Sequence, residues 1–301
     1  MKKIFITIYL TLLTALVLFA CGQPAPDSPA AGPVVLASTT FLADIAQNVA
    51  GDRARVESLL PFGADPHAYQ AAPADVAKIA ESEVLIVNGL EYEHFLESLL
   101  ENAGGERTVI EAAAGLSPRA DAESEHGVDP HMWLDPNLVV TYVENIRDGL
   151  SEADPAGADE YAANASAYIA QLEELDAWIV EQVETVPRER RLLVTNHEAM
   201  GYFAERYGFE IVDTILPSFS SEASASAQEI AAAVDAIQAS SAPAIFLGEV
   251  ENPDLANQIA AETGVKVIDD LYLESLTDGP PAATYIGMMK HNVTRIVEAL
   301  K

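Results

Sequence analysis

Cysteine is almost absent from this chain: of 301 residues, only Cys21 carries a thiol. No intramolecular disulfide can form, and no cysteine-based metal cluster is possible. Basic residues are scarce, with 16 Lys and Arg against 47 Asp and Glu and a formal net charge of −31. So acidic a surface repels phosphate backbones, which argues against nucleic acid as a partner. It also offers no polybasic patch for anionic lipid. The field attracts cations without selecting one, and a merely solvated surface accounts for it equally well. Hydrolase signatures are missing too: there is no Gly-x-Ser-x-Gly, and His197-Glu198 has no second histidine three residues on. The apolar run Ile4–Phe19 falls short of the ~20 residues a membrane span requires.

That run has another meaning. Lys2 and Lys3 precede it, and it ends in Leu18-Phe19-Ala20-Cys21, the order of an export signal. Cys21 after Ala20 resembles a lipobox, with Phe19 bulkier than the residue usual there; the thiol would be acylated and become the mature N-terminus. Two or more acyl chains hold a protein stably at a membrane surface. Residues 22–33 contain four prolines among Ala, Ser and Gly, which suits a semi-rigid tether. The expected division is therefore a signal peptide (1–20), a tether (21–33), and a first lobe from Val34.

Half of the residues are apolar, enough for two modest cores. Strand-like runs at Val34–Ser38, Val56–Leu60, Val84–Asn88, Leu192–Asn196, Phe209–Ile215, Ala244–Glu249 and Val265–Ile268 alternate with helix-period segments. The helical segments are Thr40–Ala50, Ala74–Ser82, Pro136–Leu150, Ala227–Ala239, Pro253–Thr263 and Ala283–Leu300. That alternation predicts an α/β fold with parallel sheets flanked by helices. The halves echo each other: Val35-Leu36-Ala37 leads through a helix to Leu59-Leu60-Pro61, as Leu193-Val194-Thr195 leads to Ile215-Leu216-Pro217. Two similar lobes, 34–154 and 188–301, follow. Between them Tyr161, Ala165, Tyr168, Leu172, Leu175, Ile179, Val183 and Val186 recur in steps of three and four, one apolar stripe on a single helix within 155–187. About 29 residues make a rod of roughly 43 Å, long enough to join two lobes and limit their swing. A coiled-coil dimer seam would need a less alanine-rich stripe, and the chain is expected to be a monomer.

Three of the six histidines occupy loops at the carboxyl ends of strands or at helix starts, where open α/β sheets place their ligands. They are His67 in Asp65-Pro66-His67, His131 in Asp129-Pro130-His131, and His197 just after the strand Leu192–Asn196. The prolines stiffen the turns that present the first two rings. Asp65 and Asp129 either fix the imidazole tautomer by accepting a ring N–H or serve only as turn formers. His94 and His291 fall in helical runs and His126 in an acidic loop, so these three are set aside.

Gly63–Tyr69, Asp129–Pro136, Thr195–Gly208 and Tyr285–Asn292 together resemble the metal-specific solute-binding lipoproteins of ABC importers, the zinc and manganese receptors, over Val34–Lys301. The resemblance implies two lobes joined by a rigid helix, with the metal in the cleft between them. It places ligands at His67, His131 and His197, and a carboxylate in a Tyr-x-carboxylate-Ser-Leu context. In Tyr272-Leu273-Glu274-Ser275-Leu276 that position is Glu274, where the family commonly has Asp. Asp269 and Asp270 are its rivals.

Three imidazoles and one carboxylate suit four-coordinate Zn²⁺, whereas Mg²⁺ and Ca²⁺ prefer all-oxygen shells. Zinc is the expected ion and manganese the alternative, since Irving–Williams ordering favours zinc at an N/O site. The loop Ser117–Val128 lacks the histidine-rich stretch of many zinc receptors, which weighs toward manganese. The expected role is capture outside the cytoplasm, at the outer face of a membrane, and delivery to the transmembrane subunits of an ABC permease. Two other readings are a surface adhesin with a structural metal and a metallohydrolase. Catalytic zinc keeps an open position for water, and four protein ligands close it.

Overall fold

Among the described residues, the eight strands run parallel to their neighbours, in two sheets that repeat one topology. The computed structural model describes residues 32–119, 128–216 and 218–301. The export segment with Cys21, most of the tether, the acidic loop with His126, and Pro217 lie outside the described residues. The first sheet contains β1 (Val35–Ala37), β2 (Val56–Ser58), β3 (Val84–Val87) and β4 (Thr108–Glu111) in the order β2-β1-β3-β4. The second contains β5 (Leu192–Thr195), β6 (Glu210–Thr214), β7 (Ala244–Gly248) and β8 (Lys266–Leu271) in the order β6-β5-β7-β8. The repeat seen in the sequence is thus a repeat of sheet order.

Both faces of each sheet are covered, so the central strands are apolar throughout rather than alternating. Val35 and Ala37 of β1, and Val84 and Ile86 of β3, enter the large central core. Leu36, Leu85 and Val87 point the other way into a smaller core with Leu59, Ile79 and Leu99. In the second sheet Leu193, Ala244 and Phe246 join the central core, while Val194, Ile245 and Leu247 join a separate outer cluster.

The helices are α1 (Thr40–Ala50), α2 (Pro73–Glu81), α3 (Leu96–Ala103), α4 (Pro136–Ala153), α5 (Ala158–Glu184), α6 (Gly201–Tyr207), α7 (Ala227–Ser240), α8 (Asp254–Thr263) and α9 (Tyr285–Leu300). The connecting helix α5 has 27 residues, about 40 Å at 1.5 Å each. All eight residues of its predicted stripe are buried, Val186 just beyond its end included. They pack within the chain's own core, against α1, α4 and α9. At the α4–α5 junction Arg53 grips Asp154 through two bonds of 2.5 and 2.8 Å, and Tyr161 donates to the same carboxylate at 2.9 Å.

The sequence reading misses β4 and α3 and misplaces some boundaries. In β4 only Ile110 is buried, and in α3 only Leu96 and Leu99, so neither shows a strong apolar period. His94 sits in a turn two residues before α3 rather than within a helix. Strand β8 runs on to Leu271, past the expected end at Ile268, and so absorbs Asp269 and Asp270.

Candidate metal centre

The carboxyl ends of the strands converge, and their loops bring four side chains together. One ligand atom from each of His67, His131, His197 and Glu274 lies within 4.8 Å of the others. The Oε1 atom of Glu274 is 3.4 Å from Nε2 of His131, 3.4 Å from Nε2 of His197 and 3.8 Å from Nε2 of His67. The His131 and His197 Nε2 atoms are 3.4 Å apart. Ligands at about 2.0–2.1 Å in a tetrahedron are separated by about 3.3–3.4 Å, so these edges match a four-coordinate shell, with His67 slightly withdrawn. His67 Nε2 and Glu274 Oε1 are buried with no hydrogen-bond partner. Buried polar atoms are rarely left so, and a cation between them would satisfy both.

Each side chain is aimed by its surroundings. His131 follows Asp129-Pro130, and the Asp129 carboxylate accepts both its backbone N–H (3.0 Å) and its ring Nδ1–H (2.9 Å). That bond leaves the Nε2 lone pair facing the cluster. Asp65 accepts only the backbone N–H of His67, at 2.9 Å, and its other oxygen takes the Ser221 hydroxyl at 2.6 Å. So Asp129 fixes a tautomer as well as a turn, while Asp65 builds the turn alone. His197 leaves β5 and gives its Nδ1–H to Glu251, which also accepts from Asn196 Nδ2 at 3.0 Å and from the Gly248 N–H.

The Glu274 loop is held from behind. Glu249 accepts the N–H groups of Leu273 (3.0 Å) and Ser275 (3.1 Å), and Trp133 Nε1 donates to the Leu273 carbonyl at 2.8 Å. Tyr92 donates its hydroxyl to Glu274 Oε2 at 2.5 Å. The turn that delivers Tyr92 has three successive positive φ angles, Gly89 at 85°, Leu90 at 57° and Glu91 at 60°. For a non-glycine residue that conformation costs about 1–2 kcal/mol, and such strain concentrates at functional sites. Glu93 secures the turn by accepting the Asn88 N–H (2.6 Å), the Gly89 N–H (3.2 Å) and the Ser38 hydroxyl (2.8 Å).

Burial would keep these groups neutral, but their neighbours override it at the centre. For His197 burial lowers the pKa, and hydrogen bonds to Glu251 and Glu274 overcome this and lift it to about 10. His131 is raised in the same way, burial being outweighed by Asp129 and Glu274. Glu274 is pulled well below the usual carboxylate range by the three imidazoles, despite burial. Glu249 and Glu93 lack such partners, and burial pushes them up to about 8 and about 7.

Asp269 and Asp270, the rivals for the fourth position, stand outside this cluster. Asp270 accepts from Arg295 Nε on α9 at 2.9 Å, and Asp269 is solvent-exposed. Sequence reasoning passes over Tyr92, Glu249, Glu251 and the full part of Trp133. A signal existed for two of them: Glu249 ends the predicted strand Ala244–Glu249 and Glu251 lies two residues beyond it, at the kind of strand end that yielded the histidines.

The periplasmic zinc-uptake complex component A family, ZnuA, matches residues 35–299. The chain belongs to that family. It is accordingly the solute-binding component of a metal ABC importer, not an enzyme. The manganese-binding lipoprotein MntA of Halalkalibacterium halodurans is 36% identical over 306 residues, covering 100% of this chain and 99% of the relative. The iron-binding protein YfeA of Yersinia pestis is 33% identical and covers 93% of this chain and 90% of its own length. Among solved structures, the periplasmic zinc binding protein TroA from Treponema pallidum superposes with a TM-score of 0.83 at 30% identity, covering 89% of this chain and 99% of TroA.

Proposed function

We propose that this chain captures a single divalent transition metal on His67, His131, His197 and Glu274 and hands it to the transmembrane subunits of an ABC permease. The observation that carries this reading is the approach of three Nε2 atoms to Glu274 Oε1 at 3.4, 3.4 and 3.8 Å, two of the four atoms being buried without partners. Zinc is the ion the site holds most tightly, because a three-nitrogen, one-oxygen shell with edges near 3.4 Å fits it, and Irving–Williams ordering places it above manganese. Manganese as the cellular cargo is the second reading. It is favoured by relatives named for manganese, among them MntA at 36% identity.

In this reading the lobes are residues 34–154 and 188–301, joined by 155–187, and the ion closes the space between them. The permease then distinguishes the loaded form from the metal-free one by its arrangement. Cys21 anchors a monomer by lipid to the outer face of a membrane. Elemental analysis of purified mature protein, after competition between Zn²⁺ and Mn²⁺, tests the proposal. One equivalent of metal, lost in His67→Ala, is the expected result. Equal metal content in both proteins would overturn the site.

A further inference from the structure

We propose that Tyr92 sets the coordination number of the captured ion by holding one oxygen of Glu274 out of its shell, and so favours zinc over manganese. This rests on the metal-binding reading above and adds a determinant of selectivity to it. A carboxylate can bind a cation through one oxygen or two. In Glu274 the two oxygens are already divided: Oε1 faces the three Nε2 atoms at 3.4, 3.4 and 3.8 Å, while Oε2 accepts the Tyr92 hydroxyl at 2.5 Å. Both side chains are buried, Tyr92 at 2% and Glu274 at 1% exposure, so water does not compete for that bond.

The hydroxyl is not free to turn away. The Tyr92 ring lies 4.9 Å from Trp133 and meets His67 edge-on at 5.4 Å. Its backbone leaves a turn of three positive φ angles that Glu93 ties down. Phenol is a neutral donor, so Glu274 keeps its negative charge for the ion while losing its second oxygen. Three nitrogens and one oxygen then make four, a number that satisfies zinc. Manganese favours larger, oxygen-rich shells and gains Oε2 only by breaking the bond to Tyr92. The longer reach of Glu compared with Asp lets one carboxylate touch the tyrosine and the cluster together.

The test compares mature wild-type protein with Tyr92→Phe, which keeps the ring and removes the donor, and with Tyr92→Met, which fills the space by other means. Cobalt(II) serves as the spectroscopic probe, and chelator competition yields the Zn²⁺ and Mn²⁺ affinities. Wild type is expected to show the intense visible absorption of four-coordinate cobalt. Both variants should show the weaker absorption of a higher-coordinate ion, and their zinc-to-manganese affinity ratio should narrow by about tenfold or more, the scale of one charge-assisted hydrogen bond. Unchanged spectra and ratio would overturn the proposal, as would equal loss of affinity for both metals. If wild type bound neither metal, the reading of the site itself would fail first, and the two failures are thereby distinguished.

Discussion

Replacing Glu251 by Gln tests whether the site is organised by the carboxylates behind its ligands. Glu251 accepts three hydrogen bonds, from the His197 ring, from Asn196 Nδ2 and from the Gly248 N–H. Glutamine has one carbonyl oxygen and one amide nitrogen. If its oxygen faces His197 and Asn196, its NH₂ confronts the Gly248 N–H, donor against donor. If it flips, the NH₂ meets His197 Nδ1 and drives the ring proton onto Nε2, the atom that should face the metal. A buried donor left unpaired costs about 1–3 kcal/mol. Loss of a ligand-orienting partner costs about 10–100-fold in metal affinity, or about 1.4–2.7 kcal/mol.

The same substitution removes a negative charge that helps lift His197 to about 10, so less work is needed to expel the competing proton. Zinc affinity measured by chelator competition at about pH 7.5 should fall by less than the full factor of about 10–100, because this relief opposes the loss of orientation, and its dependence on pH should flatten. At about 2–4 °C per kcal/mol for a chain of this size, the metal-free unfolding midpoint should drop by several degrees. Equal zinc affinity with an unchanged pH slope would refute the idea that Glu251 orients His197.

Histidine protonation makes capture pH-dependent over a wider range than ordinary imidazoles would. Because His197 stays charged up to about 10 in the metal-free protein, the ion must expel its proton, and each pH unit lost below that value should weaken binding by up to tenfold, about 1.4 kcal/mol. A flat titration by calorimetry from pH 8 to 5 would rule out histidine ligation. The stabilising share of the same group in the metal-free fold runs the other way, full below the unfolded value near 6.5 and lost as pH rises through about 10; thermal scans from pH 7 to 10.5 should show the decline. Glu274→Ala should abolish tight metal binding, whereas Asp270→Asn should leave it intact and forfeit only a partly exposed pair with Arg295, worth under about 1 kcal/mol. Ile179→Ala on α5, fully buried, should cost about 2–5 kcal/mol of stability with little change in metal affinity, read by denaturant titration and chelator competition on the same sample.

What was legible in the sequence was whatever repeats or stays local. The apolar stripe on α5 and the doubled strand pattern are periodic, and each proline before His67 and His131 stiffens its own turn, so sheet class, helix and ligand candidates followed. Glu274 was separable from Asp269 and Asp270 only by resemblance, because three acids within six residues look alike until the strand end is known. The structure separates them by letting β8 run to Leu271, with the β7–β8 register shifting between Phe246 and Gly248. Asp270 then turns to Arg295, and Glu274 alone passes the edge of the sheet. Tyr92 and Glu251 hydrogen-bond to the candidate ligands Glu274 and His197, 182 and 54 residues away, and no local pattern records such pairings.

An acidic protein can spend nearly all its carboxylates on solvent, yet Asp129, Glu251 and Glu274 are buried at the centre, with Glu93 and Glu249 lifted by burial beside them. Burying charge is unfavourable unless it is paired, and here most of the pairing is done by the protein itself. Of the four clustered atoms only His67 Nε2 and Glu274 Oε1 are without a hydrogen-bond partner, while the backbone clamps of Glu93, Glu249 and Glu251 are made by the protein alone. The central core runs from Val35 to Leu300 without passing through the ligands. A structural zinc site, by contrast, carries the folding free energy itself. The chelated protein should therefore keep a cooperative thermal transition, and zinc at a hundred times its dissociation constant should add about 2.7 kcal/mol. Collapse of that transition on chelation would mean that the metal builds the fold, and a carrier that unfolds each time it releases its ion could not serve an importer.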